Sequence, residues 1–199
     1  IGLVSTSGDG KVYNLTNSGY RCWAPRWSRD GQSLVYLTER YGMRNHASWG
    51  SQTDVMMIFL NRAAHEQYLR SEEEQELYKE LEKQRAKAKS DSTSTKAEAK
   101  TSTATKKETR VEWDDLDLRT VRLTPRSATL GDLIMSPDGQ KLYYLSSTEG
   151  SYDLWVHDLR KHTTGLLRKL GVSSAFFDSD REGKNYFILG ASPQKFDPR

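Results

Sequence analysis

His46, Ser48 and Asp54 come nearest to a hydrolytic constellation in this sequence. An imidazole, a hydroxyl and a carboxylate fall within Arg44-Asn45-His46-Ala47-Ser48-Trp49-Gly50 and the segment that follows. A serine nucleophile needs an imidazole base on its hydroxyl, a carboxylate orienting that base, and donors around the developing oxyanion. Ser48 lies only two residues after His46, with no Gly-x-Ser-x-Gly elbow to raise it above a sheet. The better reading is a structured connection in which Asn45 and His46 bond backbone groups, Trp49 packs and Gly50 takes a turn. No catalytic residue is assigned.

A second group, Glu112-Trp113-Asp114-Asp115-Leu116-Asp117, has the oxygen donors of a hard-cation site. Helix-loop-helix calcium loops need ligands at alternate positions, a central Gly and a terminal Glu, and this run lacks that pattern. It reads as the solvated start of a strand. His65, His157 and His162 have no metal-ligand spacing, and the single cysteine, Cys22, has no partner for a zinc site or a disulfide. No Gly-rich phosphate loop is present, so neither a metal nor a cofactor is expected.

The charge balance of +3 comes from Lys and Arg interspersed with Asp and Glu, which does not predict nucleic-acid binding. No apolar run approaches the ~18 residues that span a bilayer, and no signal peptide is visible. A chain of 199 residues can bury a real core. Its 35% apolar content is low mainly because of the stretch between Ser71 and Arg110.

The elements that must position these side chains are announced by a repeat. Trp27-Ser28-Arg29-Asp30-Gly31-Gln32 leads into Ser33-Leu34-Val35-Tyr36-Leu37-Thr38, and Met135-Ser136-Pro137-Asp138-Gly139-Gln140 leads into Lys141-Leu142-Tyr143-Tyr144-Leu145-Ser146. A looser copy runs from Phe177 through Asp180 and Gly183 to Tyr186-Phe187-Ile188-Leu189. A spacing of roughly 42 residues suits propeller blades. Asp-Gly supplies the positive φ of a tight hairpin turn, and the alternating run after it is a strand. Trp27, Met135 and Phe177 occupy equivalent places and are expected to fill the seams between sheets. Asp30 and Asp138, with Gly31 and Gly139, are expected to make the turns.

In this frame Arg26–Thr38 holds strands one and two of a blade. Asp54–Leu60 and Tyr152–Leu159 are third strands. Val12–Thr16, Leu118–Thr124 and Gly165–Leu170 are fourth strands. The expected fold is all-β: a partial β-propeller of about two full and two partial four-stranded blades, with residues 1–199 a fragment of the domain. Ile1–Thr16 would be the second half of one blade. An insertion at 71–110 interrupts another. Ser71-Glu72-Glu73-Glu74 is a capping box, and Leu77 and Leu81 follow at helical spacing, so a helix is expected from about Ser71 to Lys89. Acidic residues at its start and basic ones at its end suit the helix dipole. Ser90–Thr109 lacks aromatic and β-branched aliphatic residues and is expected to be mobile. The plain reading is a tolerated surface insertion, and deleting Ser90–Thr109 should change the melting temperature little. Alone, the fragment is expected to be marginal or to self-associate through exposed sheet edges.

The Trp-Ser-x-Asp-Gly and Met-Ser-Pro-Asp-Gly units resemble the WD40-like, TolB-type β-propeller repeat. Gly42-Met43-Arg44-Asn45-His46-Ala47-Ser48-Trp49-Gly50, with Asp54-Val55-Met56-Met57, the Glu/Lys-rich helix and Arg122-Leu123-Thr124-Pro125, resembles the propeller region of bacterial tricorn-type proteases, in peptidase family S41. That resemblance implies a propeller ahead of a catalytic region with a PDZ domain and a serine nucleophile. No segment here matches that region, so none of its catalytic residues is carried over. The implied role is non-catalytic: admitting or guiding peptide or protein substrates and packing against the remaining blades and the PDZ/catalytic region. The implied compartment is the periplasm, with the cytoplasm of archaeal members as the alternative. A TolB-like envelope scaffold without peptidase activity is the competing function, and the propeller of a prolyl-oligopeptidase-type enzyme is a third.

Overall fold

The computed structural model describes residues 1–6, 8, 10–44, 46, 50–91, 109–148, 150–180, 185–190 and 193–196, without the side chains of 86–91 and 148. Among these residues, antiparallel strands make four sheets. β1 (Gly2–Val4) and β2 (Val12–Asn14) form a two-stranded ribbon. β3 (Cys22–Trp27), β4 (Ser33–Thr38), β5 (Asp54–Phe59) and β6 (Thr120–Arg122) form a four-stranded sheet in that order. β7 (Thr129–Met135), β8 (Lys141–Thr148), β9 (Ser151–Asp158) and β10 (Thr163–Val172) form the next. β11 (Ala175–Ser179), β12 (Tyr186–Gly190) and β13 (Gln194–Phe196) form the last.

The sheets stack face to face in chain order, because successive side chains of a strand point to opposite faces. In β4, Leu34 and Tyr36 point back to the β1–β2 ribbon with Met56, Ile58 and Leu15. Val35 and Leu37 point forward into a seam with Leu133, Met135, Leu142 and Tyr144 of the next sheet. That sheet repeats the parity: Tyr143 and Leu145 point forward onto Phe177, Tyr186, Ile188 and Phe196. A strand covered on both faces has no polar side to keep, which is why Ser33–Thr38 and Asp54–Phe59 are buried throughout.

The two Asp-Gly turns are built alike. Ser28 Oγ donates to Asp30 Oδ1 at 2.6 Å and Gln32 N donates to the same oxygen at 3.0 Å. Ser136 Oγ and Gln140 N do the same to Asp138 at 2.5 and 3.0 Å. Gly31 and Gly139 take φ of +68° and +69°, where a Cβ would strain the backbone.

The structure corrects several sequence expectations. Among the described residues Trp27 does not fill a seam: Met135 and Phe177 are buried, but Trp27 is 47% exposed. The first strand of that blade starts at Cys22, not Arg26, with a bulge between Trp23 and Arg26 where Ala24 takes φ of +53°. The expected fourth strand at Leu118–Thr124 shrinks to Thr120–Arg122 behind a 3-10 turn at Asp117–Arg119. Arg119 turns its side chain inward there, donating to the carbonyls of Phe59 at 3.3 Å, Asp114 at 2.7 Å and Glu112.

The helix expected from about Ser71 is present, and a second helix that was not expected precedes the 71–110 insertion. α1 (Arg62–Leu69) is started by Asn61, whose carboxamide oxygen accepts from Ala64 N at 2.9 Å while its amide donates to Gln32 Oε1 at 2.6 Å. α2 (Glu72–Asp91) carries the capping box, with Ser71 N donating to Glu74 Oε2 at 2.9 Å and Glu74 N to Ser71 Oγ at 3.2 Å. Most of Ser90–Thr109 lies outside the described residues.

Candidate functional site

Among the described residues, β3, β7 and β11 each pair with a neighbour on one side only, and their other edges lie along one rim. Asp132 of β7 is the tie along that rim. Its Oδ1 accepts from Leu133 N at 2.8 Å and lies 3.5 Å from Arg26 Nη2 on β3. Its Oδ2 accepts from Phe177 N on β11 at 2.9 Å. One carboxylate thus joins three successive sheets. It stands in the bulge between Leu130 and Leu133, as Ala24 does in β3. Sequence reasoning missed Asp132: the repeat puts Ala24 and Ser174 at the matching positions, so no pattern marks it. Pro25, Arg26, Asp178 and Phe176 are exposed along the same strands. Strand edges that have no sheet neighbour among the described residues, with a few charges beside them, suit an extended chain laid against the rim.

The insertion straddles the turn between β3 and β4. On one side, α1 and the start of α2 (Gln75, Tyr78, Lys79) wall a cleft with Asp30, Gln32 and Arg160. On the other, Thr109, Val111 and Trp113 line a cleft with Trp27, Arg29 and Leu3. The body is gripped at both ends of the insertion. Arg62 Nη2 bonds Asp115 Oδ2 at 3.1 Å, and Glu112 Oε2 accepts from Arg62 N at 3.1 Å. The acidic run Glu112–Asp117 therefore includes carboxylates that hold the first turn of α1. Among the described residues no group of three metal-ligating side chains gathers.

Asp54, one member of the sequence constellation, is fully buried and engaged elsewhere. Arg122 Nε donates to its Oδ1 at 2.9 Å, Thr124 Oγ1 to the same oxygen at 2.8 Å, and Ser127 Oγ to Oδ2 at 2.8 Å. His46 is exposed, and Asn45, Ser48 and Trp49 lie outside the described residues. The three other histidines do not converge on a nucleophile. His65 packs against Phe59 and His162 against Tyr68, with His162 Nδ1 3.1 Å from the Tyr68 hydroxyl. His157 is buried, its Nδ1 2.8 Å from Thr164 Oγ1 and its Nε2 without a partner. Burial, with His162 adding to it against Asp158, pushes the His157 imidazole down to about 4. Burial likewise raises the Tyr144 and Tyr186 phenols to about 12.

Two solved structures superpose on nearly the whole chain. TolB from Acinetobacter baumannii matches 98% of it at 14% identity with a TM-score of 0.52, and the tricorn protease matches 94% at 12% identity with a TM-score of 0.54. The four sheets are blades of a β-propeller. The segment spans 34% of the TolB chain and 17% of the tricorn chain. No family model matches this propeller segment, and no curated protein matches it significantly. No helix among its described residues is long and apolar enough to cross a membrane.

Proposed function

We propose that this propeller segment is a non-catalytic part of a tricorn-like serine protease, handling extended peptide or protein substrates on the rim of β3, β7 and β11. The observation that carries the reading is the row of outer strands β3, β7 and β11 tied by Asp132, whose edges lack a sheet neighbour among the described residues and suit main-chain pairing with an unfolded chain. The superposition on the tricorn protease over 94% of the chain supports it. On this reading the partners are the remaining blades and a PDZ/catalytic region, and the compartment is the periplasm.

Hydrogen exchange tests the site. With an unstructured casein-peptide pool as probe, amides of Cys22–Trp27, Thr129–Met135 and Ala175–Ser179 slow, and Asp132→Ala weakens the effect. No protection on these strands overturns the reading. The second reading, a TolB-like envelope scaffold without peptidase activity, is favoured by the 98% superposition on TolB. The coding sequence beyond Arg199 separates the two: a PDZ domain and a serine-peptidase region support the protease, and termination within a blade or two supports the scaffold.

A further inference from the structure

Three cations wall the cleft between the helix pair α1–α2 and the turns of the two four-stranded sheets. Arg70 closes α1, Lys79 lies on α2, and Arg160 stands in the turn that follows β9. Their supports come from the fold itself. Arg160 Nε donates to Gln140 Oε1 at 3.0 Å, which fixes the plane of its guanidinium. Arg70 lies over the Tyr78 ring, 4.0 Å from the centroid. Gln75 Nε2 donates to the Gln67 carbonyl at 2.9 Å and ties α2 to α1, while the bond from Asn61 to Gln32 ties α1 to the β3–β4 turn. Among the described residues, none of the three cations has an ion-pair partner, and the two Arg160 Nη atoms meet no acceptor.

We propose that this cleft binds a small phosphate monoester, its phosphoryl group held by the Arg160 fork with Arg70 and Lys79 matching the charge. A guanidinium offers two parallel N–H donors to a phosphate, and one already fixed by a hydrogen bond loses little freedom on binding. The carboxylates of the cleft do not reverse its preference. Asp30 turns Oδ1 into its own hairpin, accepting from Ser28 Oγ and Gln32 N, and Glu82 stands on the exposed side of α2. A doubly charged oxyanion suits three cations set against these two carboxylates better than a single carboxylate does. The cleft measures about 400 Å³, within the range of small-molecule sites. A cavity of about 100 Å³ shares its Gln32, Gln75 and Arg160 walls and reaches inward to Phe59 and Leu159, so the ester's body has both amide groups and an apolar floor to meet. The inference rests on the cleft and not on the peptidase reading, and its test contains no peptide.

Titration calorimetry on the full-length protein that carries this segment decides it, with glycerol 3-phosphate as the probe and glycerol and malonate as comparators. Glycerol 3-phosphate should bind with a Kd of about 1 mM or tighter, malonate at least about tenfold more weakly, and glycerol not at all. Arg160→Lys should weaken the probe at least about tenfold, because an ammonium cannot make the paired bonds. Lys79→Met should weaken it about threefold, and Glu82→Gln, which removes an anion from the wall, should tighten it. Arg21→Met removes a cation outside the cleft and should leave the affinity unchanged. Circular dichroism confirms that each variant is folded, and the exposed positions Lys79 and Glu82 carry the test if Arg160→Lys fails to fold. Absence of binding at about 10 mM probe overturns the proposal. So does malonate binding as tightly as the phosphate, weaker binding by Glu82→Gln, or an Arg21→Met loss equal to that of Lys79→Met.

Discussion

Asp54 and Arg122 should respond unequally to substitution, and the inequality can be worked from their burial. Asp54 has no exposed surface, while the Arg122 side chain is 35% exposed. Asp54→Ala strands a guanidinium that water can still reach and orphans the Thr124 and Ser127 hydroxyls. Breaking a buried ion pair costs about 3–5 kcal/mol, and partial hydration of Arg122 puts this variant near the lower end. Arg122→Met does the reverse. It leaves a fully enclosed carboxylate with two hydroxyl donors and no cation, so it should cost more, about 4–5 kcal/mol. The double variant removes both charges and should be no worse than Arg122→Met alone, a coupling of roughly 3 kcal/mol. Urea unfolding followed by circular dichroism at one fixed protein concentration measures all three variants. Additive single losses, or an Asp54→Ala cost under about 1 kcal/mol, would refute the argument that this pair acts as one buried unit.

Three further outcomes are expected. With an imidazole pushed down to about 4 from 6.5, His157 leaves the unfolded chain binding its proton first as pH falls. Stability from this group is therefore complete above pH 6.5 and declines between 6.5 and 4 by up to about 3 kcal/mol; His157→Phe should flatten that slope in a pH series of melting curves, and an unchanged slope would assign it to other groups. Gly139→Ala should cost about 1 kcal/mol for its left-handed backbone alone. Gly31→Ala should cost more, because its new Cβ would stand 2.6 Å from Thr109 Oγ1 whereas nothing approaches Gly139; equal losses in thermal melts would mean that the insertion does not press on this turn. Arg119→Lys should destabilise nearly as much as Arg119→Met, since one ammonium cannot serve three diverging carbonyls; full stability of the lysine variant in urea melts would count against that geometry.

What the sequence determined by itself was mainly the turns, strands and caps that repeat or are local. The Ser-x-Asp-Gly turns at Asp30 and Asp138, the buried run of Asp54–Phe59 and the capping box at Ser71 depend on side chains within a few residues of one another, so their chemistry is written in order along the chain. The repeat also carried the alternation that aims Val35 and Tyr143 forward and Leu34 and Leu142 backward. Only the tertiary structure decided the rest. α1 escaped notice because its cap, Asn61, is fixed by Gln32, 29 residues away. Arg119 left its strand because the carbonyls that hold it come from three separate positions. Asp132 became the tie of the rim through Arg26 and Phe177, 106 and 45 residues distant, while the same place in the repeat holds Ala24 and Ser174. Trp27 is the plainest case. Its position in the repeat is a seam position, but burial requires a second surface, and among the described residues Trp27 is 47% exposed.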